Sequence, residues 1–416
     1  MSAPAAAAAA ADSDDDTAAG EAAVSAEKAT QITTLSQQLA PNVSITTEKK
    51  TAIFRVPPAI SEGDRAAIIA PSAGLASLFT HLRDLGVERL AQTFQLRPEL
   101  YPSMSEGMSI LHADPELRAR DINRAFADPA VKLVVCSIGG FEMIRVLPFL
   151  DLDTIRRNPK ALTGFSDVTN LHLVLWKLGI VSYYGGNLLC QFAMFGGMHD
   201  YTVEHVRDAL FGDDSRRRLR PSEKYQDGYL EWSDPTNIDK SAPQEDNEEG
   251  WIWHVSESSS SSSAASVTGR LWGGCVDSLF KLFAARSPFL PTAEELDGAI
   301  LFVETSEIMP EAGQVYDFFA ALGELGIIAR LKAILVGRPK CNDRGRVPHE
   351  GRAEYRANQR DAVLRALADY DASPAAVIFN LDFGHTDPQI LVPSGSFATI
   401  DVESREIYFD YSRGQK

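Results

Sequence analysis

The chain is short of cysteine and of positive charge, and it has no long apolar run. Its four cysteines, Cys136, Cys190, Cys275 and Cys341, are scattered, with no CxxC pair and no metal-ligand spacing. That usage excludes a disulfide framework and predicts thiols that fill small buried volumes in a reducing compartment. No stretch of about 18 apolar residues occurs, so no membrane span is expected. Lys and Arg number 40 against 57 Asp and Glu, a net charge of −17. Nucleic-acid binding needs clustered cations, so no nucleic-acid partner is expected. The one basic run, residues 216–218, is short and follows Asp213 and Asp214, as a solvated surface segment does. Residues 5–11 are alanines, too weakly apolar for a signal-peptide core, and Asp12 follows them; the cytoplasm is the expected location. No internal repeat is visible.

What is present is globular in character: 44% of the 416 residues are hydrophobic. Residues 1–48 are rich in Ala, Ser, Thr and acids, and bury too little apolar surface to offset the entropy of ordering, which predicts a disordered tail. From about residue 50 to 210, short apolar strands alternate with helical patterns. Residues 66–70 (AAIIA), 131–137 (VKLVVCS), 161–164 and 180–184 read as buried strands. Residues 75–90, 113–126 and 167–178 read as helices, the second with Asp114-Pro115 as N-cap and first-turn proline. Strand–helix alternation with short turns predicts an α/β domain with a doubly wound parallel sheet. Residues 211–266 mix charge, proline and three tryptophans, and close on a serine run over 258–263; they read as a linker or insertion. A second, C-terminal domain over 267–416 is expected to be a β-rich, swivelling α/β unit. Its predicted strands lie at 299–304, 333–336, 375–379, 397–402 and 406–411, with a helix over 315–325.

Four places could carry chemistry. In Gly164-Phe165-Ser166-Asp167 a strand ends just before the serine and a helix begins just after it. A tight turn there would push the hydroxyl clear of the sheet, although Val168 breaks the G-x-S-x-G pattern and a plain helix N-cap is the alternative. Gly139-Gly140 follows a buried strand; backbone N–H groups there could approach an oxyanion together with the N–H of Asp167, or form an ordinary turn. Glu304 ends an apolar strand, a common position for an active-site acid in α/β proteins, with Glu307 as its rival. His385, in Asp382-Phe383-Gly384-His385-Thr386-Asp387, sits in a glycine-containing loop after a strand, where a near-neutral pKa suits proton transfer.

Taken together, these segments resemble the LD-carboxypeptidase family of serine peptidases. The run from Ile138 to Asn187 carries the resemblance, with Gly139-Gly140, Val146-Leu147-Pro148, Asn158-Pro159-Lys160 and Gly164-Phe165-Ser166-Asp167. The later segments LWGG (271–274), LFVE (301–304) and FGHTDPQ (383–389) are similar to the family's second-domain motifs. The resemblance implies a two-domain serine peptidase, a homodimer without metal or cofactor, acting on a small peptide-like substrate. It assigns Ser166 as nucleophile, His385 as base, Glu304 as the acid that orients it, and the N–H groups of Gly140 and Asp167 as oxyanion donors. The tryptophan-bearing segment looks like the microcin-immunity branch of the family, with Trp232 and Trp251 or Trp253 available to stack on a leaving group; packing of the loop onto the body is the alternative. Cys275 stands where relatives often carry an Asn that contacts substrate, which points to a changed substrate range and to an inert thiol. Cleavage of a cell-wall muropeptide and a non-catalytic binding role on the same fold are the competing readings.

Overall fold

The structure, a computed structural model, describes residues 54–212, 215–256 and 266–413, all within the compact unit Ala52–Lys416. The expected tail over 1–48 and the serine run at 258–263 lie outside the described residues. In the first half, five strands form: β1 (Arg65–Ile69), β2 (Arg97–Leu100), β3 (Val131–Cys136), β4 (Ala161–Gly164) and β5 (Ser182–Tyr184). They are parallel in the order β2-β1-β3-β4-β5. Apart from β2, which lies at the edge, these strands are buried along nearly their whole length, because helices cover both faces. This is the doubly wound sheet expected, and the strand order reverses between β1 and β3.

The helices differ in detail from the sequence expectation. The second begins where its cap predicts: helix Pro115–Ala127 starts after Asp114, whose side chain accepts from the Leu117 N–H at 2.9 Å. The first is broken into Leu75–Leu78 and Thr80–Phe94, because Phe79 leaves helical dihedrals and turns its ring edge-on to Trp232. The longest helix, Arg352–Asp369, gave no clear apolar stripe: its buried face is Tyr355, Gln359, Ala362, Val363, Ala366 and Leu367, where alanine and glutamine dilute the pattern.

The rest of the described residues form eleven strands, eight of them in a second sheet. The strands in chain order are β6 (Arg216–Arg218), β7 (Lys224–Tyr225), β8 (Glu245–Asp246), β9 (Ile252–Val255), β10 (Ser266–Cys275), β11 (Ile300–Glu304), β12 (Ala333–Gly337), β13 (Ala376–Leu381), β14 (Val392–Ser394), β15 (Phe397–Asp401) and β16 (Glu406–Asp410). The order of the second sheet is β6-β16-β15-β10-β11-β12-β13-β9, and β10 to β13 run parallel at its centre. Outside it, β7 and β8 pair with each other. Residues 211–266 are therefore more than a linker, since β6 and β9 form the two edges of this sheet. The basic run at 216–218 becomes that edge strand. In turn β14 leaves the C-terminal half to pair antiparallel with β5 in the first sheet. No helix among the described residues is long and apolar enough to cross a membrane.

Candidate active site

In a parallel sheet, every strand ends on the same edge, and the loops leaving those ends gather there. The loops after β1, β3, β4 and β5 bring residues 72–75, 138–142, 165–166 and Asn187 to one cavity of about 780 Å³. The parallel core of the second sheet contributes from the ends of its own strands: Glu307 after β11, Lys340 and residues 342–345 after β12, and His385 after β13.

Ser166 stands at the strand-to-helix turn with φ +65, in the left-handed region that a serine rarely adopts. Such a conformation costs of order 1–3 kcal/mol and persists only where the surroundings over-determine it. Here they do. The Ser166 N–H donates to the Tyr184 phenol at 3.1 Å, and its carbonyl accepts from the Thr169 hydroxyl at 2.6 Å and from Ser278 at 3.4 Å. The Thr169 backbone N–H also donates to that carbonyl, so the turn is held through its main chain. Gly139 presses against it: a Cβ at that position would lie 2.7 Å from Ser166 Cβ and 2.8 Å from its Oγ, so only glycine fits. Gly140 is equally constrained, with φ +148 and Ser72 Oγ 2.5 Å from where a Cβ would stand.

The Asp167 side chain has a part that its sequence position did not reveal. Its buried carboxylate accepts from Ser72 Oγ at 2.6 Å, from the Met143 N–H at 2.8 Å and from Asn170 Nδ2 at 3.0 Å. It thus pins the loops after β1 and β3 to the turn that carries Ser166.

Glu304 and His385, 81 residues apart, meet directly: the imidazole Nδ1 lies 2.6 Å from Glu304 Oε2. Both are buried. The approach depends on two glycines, because a Cβ at Gly384 would fall 2.7 Å from the Glu304 side chain and one at Gly337 2.9 Å from its Cβ. The other carboxylate oxygen accepts from the Tyr184 phenol at 2.6 Å. Tyr184 therefore joins the backbone of Ser166 to Glu304 through one hydroxyl, and burial followed by the Glu304 charge holds that phenol well above its ordinary pKa. Nothing in the apolar pattern of β5 marks Tyr184 out from its buried neighbour Tyr183.

The second imidazole nitrogen, Nε2, faces Glu307 Oε2 at 3.0 Å. His385 thus lies between two carboxylates. Burial works against its charge, but Glu304 and Glu307 outweigh it and raise its pKa to about 10. Burial would raise Glu307, yet its contact with His385 and the field of Lys340 pull it down to about 2. The rival acids are both on the histidine, one at each nitrogen.

Of the other expected contacts, Trp232 lines the cavity, with Tyr229 beside it at 5.7 Å between ring centroids. Trp251 does not: its indole N–H donates to Asp382 Oδ2 at 2.9 Å, and it serves to fasten the segment before β9 to the loop that carries His385. Cys275 is 1% exposed and absent from the cavity lining; its thiol is pushed up by burial and by Glu304. The cysteine that does line the cavity is Cys190, brought there by the turn after β5. Packing decided both cases, since neighbours in sequence at a motif need not share a surface.

The sequence profile of the LD-carboxypeptidase N-terminal domain matches residues 66–185, and that of the LD-carboxypeptidase C-terminal domain matches residues 268–400, together more than half of the chain. The chain belongs to the LD-carboxypeptidase family and is a serine-type carboxypeptidase of the hydrolase class. Among its relatives is the microcin C7 self-immunity protein MccF of Escherichia coli, 26% identical over 295 residues, covering 70% of this chain and 77% of MccF. Among solved structures it is similar to an MccF-like protein from Streptococcus pneumoniae in complex with AMP, with a TM-score of 0.72 and 27% identity over 84% of this chain and 99% of that one. An MccF-like protein from Bacillus anthracis has a TM-score of 0.68 and 25% identity, covering 85% of this chain and 98% of its own.

Proposed function

We propose that this protein hydrolyses an amide bond in a small peptide or peptidyl-nucleotide-like conjugate through a Ser166–His385–Glu304 triad. The observation that carries the reading is the single hydrogen-bonded path from the strained Ser166 backbone through the Tyr184 phenol and Glu304 to the His385 imidazole. In this mechanism the Ser166 hydroxyl attacks the carbonyl carbon and gives its proton to His385 Nε2. Glu304 fixes the ring at Nδ1 and stabilises the imidazolium that forms. The developing oxyanion is received by the N–H groups of Gly140 and Asp167, a reading supported by the close packing of Gly139 against Ser166. The imidazolium then protonates the leaving amine, an acyl-enzyme remains on Ser166, and water releases it by the same route in reverse.

Glu307 adds a condition. Nε2 must exchange Glu307 for the serine before it can take a proton, and an imidazole held near pKa 10 is charged at neutral pH. Glu307 is about a third exposed and able to swing away, so substrate entry would displace it and lower the histidine's pKa together. The aromatic pair Trp232 and Tyr229 on the cavity wall suits a planar leaving group, and the streptococcal relative holds AMP.

Labelling with a fluorophosphonate tests the chemistry. Wild type is expected to be labelled and Ser166→Ala not; an unlabelled wild type would leave a non-catalytic binding protein. Parallel incubation with a peptidyl-adenylate and a muropeptide separates the substrate classes, with the adenylate expected to be consumed faster. A cytoplasmic location is supported by the four free thiols. The homodimer rests on the family resemblance and is tested by light scattering.

A further inference from the structure

Lys340 is 3% exposed and lines the cavity, yet among the described residues it has no hydrogen bond and no ion pair. Its Nζ sits 4.9 Å from the centroid of the Tyr229 ring. A buried ammonium without an anion is costly, and buried cations are paired in nearly every fold. The carboxylates around it are already engaged. Glu307, whose charge Lys340 feels, is taken by His385. Asp387 accepts from the Tyr229 phenol at 2.7 Å and from Gln191 Nε2 at 2.9 Å. Asp227 is held by Arg352 and Arg356 at 2.8 and 2.9 Å. The protein thus leaves an unpaired cation on the wall of the cavity that holds Ser166, with the nearby carboxylates engaged elsewhere.

We propose that Lys340 is the anchor for an oxyanion of the substrate: the free C-terminal carboxylate of a peptide, or the phosphate of a nucleotide-bearing conjugate. The inference rests on the hydrolase reading and deepens it, because a carboxypeptidase must tell a chain end from an internal peptide bond. A cation on the cavity wall does so by charge, and the Tyr229 ring 4.9 Å away adds a cation–π contact to the ammonium.

The experiment compares two matched substrate pairs: an acyl-dipeptide with a free and with an amidated C-terminus, and a peptidyl conjugate carrying adenosine with and without its phosphate. Wild type is expected to prefer the anionic member of one pair by roughly 10- to 100-fold in kcat/KM, the value of a charge-assisted hydrogen bond in a desolvated site. The pair that shows the preference identifies the source of the oxyanion. In Lys340→Met, which keeps length and apolar bulk, the preference should fall to near one, and in Lys340→Arg it should persist in part. Unchanged preference in Lys340→Met overturns the proposal, as does equal turnover of both members of both pairs by wild type. Calorimetry on Ser166→Ala, with Lys340 intact, keeps the test independent of the variant's folding: equal affinity for both members of each pair also overturns it. Failure of the hydrolase reading looks different, since then wild type turns over none of the four substrates and takes no fluorophosphonate label.

Discussion

His172 and His385 are both buried, and the protein uses them in opposite ways. His172 lies on the helix after Ser166, with Nδ1 2.7 Å from Ser182 Oγ and Nε2 2.9 Å from the Gly164 carbonyl. Its neighbours are neutral, so burial prevails and lowers its pKa to about 4. His385 is as enclosed but is faced by two carboxylates, and its pKa rises to about 10. Burial alone therefore says nothing about whether a histidine carries a proton at neutral pH; the charge of the groups it meets decides. One histidine ties the helix after Ser166 to β4 and β5 through neutral partners. The other is held by the two glutamates in its charged form.

The largest effect should come from the carboxylate that orients His385. Glu304→Gln keeps the volume and removes the charge at Nδ1, and kcat is expected to fall by roughly four orders of magnitude with an unchanged circular dichroism spectrum. Near-wild-type kcat in this variant, with loss in Glu307→Gln, would exchange the roles of the two acids.

Glu307→Gln should leave the triad in place and ease the grip on the histidine's proton. With one of its two flanking charges gone, the rising limb of the kcat/KM profile should move to lower pH by about one to three units. A profile that stays where it is would show that Glu307 does not control His385.

The smallest effect is structural. His172→Gln disturbs two buried hydrogen bonds and should cost about 1–3 kcal/mol at pH 7. Because the folded state keeps His172 neutral down to about pH 4, the unfolded chain takes up that proton first as pH falls below about 6.5. Wild type should accordingly lose about 2 kcal/mol through this group between pH 7 and pH 5, and thermal melts of His172→Gln should lack that part of the slope. For His385 the sign reverses: its contribution is complete below about 6.5 and is lost as pH climbs towards about 10.

Much of the fold was legible because buried parallel strands are short apolar runs closed by turn residues. Strands β1, β3, β4 and β11 lie within a residue of where their apolar runs predict. The break at Phe79 and the helix Arg352–Asp369 were not legible, the first because a tertiary ring contact overrides helical spacing, the second because an alanine-rich face carries little apolar signal. At the site, Ser166, the two glycines, Glu304 and His385 each stood at a strand end where the sequence pattern singles out a residue. Tyr184, Lys340 and the carboxylate of Asp167 did not, since nothing local separates a buried tyrosine or lysine with a task from one that fills space.

By itself the amino-acid order determined which residues end the buried strands and which serine, glutamate and histidine stand there as candidates for chemistry. Tertiary structure alone decided which nitrogen of His385 each glutamate occupies, that the phenol of Tyr184 bridges Ser166 to Glu304, which lies 120 residues further along the chain than Tyr184, and that Trp232 and Cys190 face the cavity while Trp251 and Cys275 do not. The reason is physical. Periodicity reports whether a side chain is buried, a property of one strand or helix. Contacts between loops from two sheets depend on how those sheets pack, and that is written in no single segment of the chain.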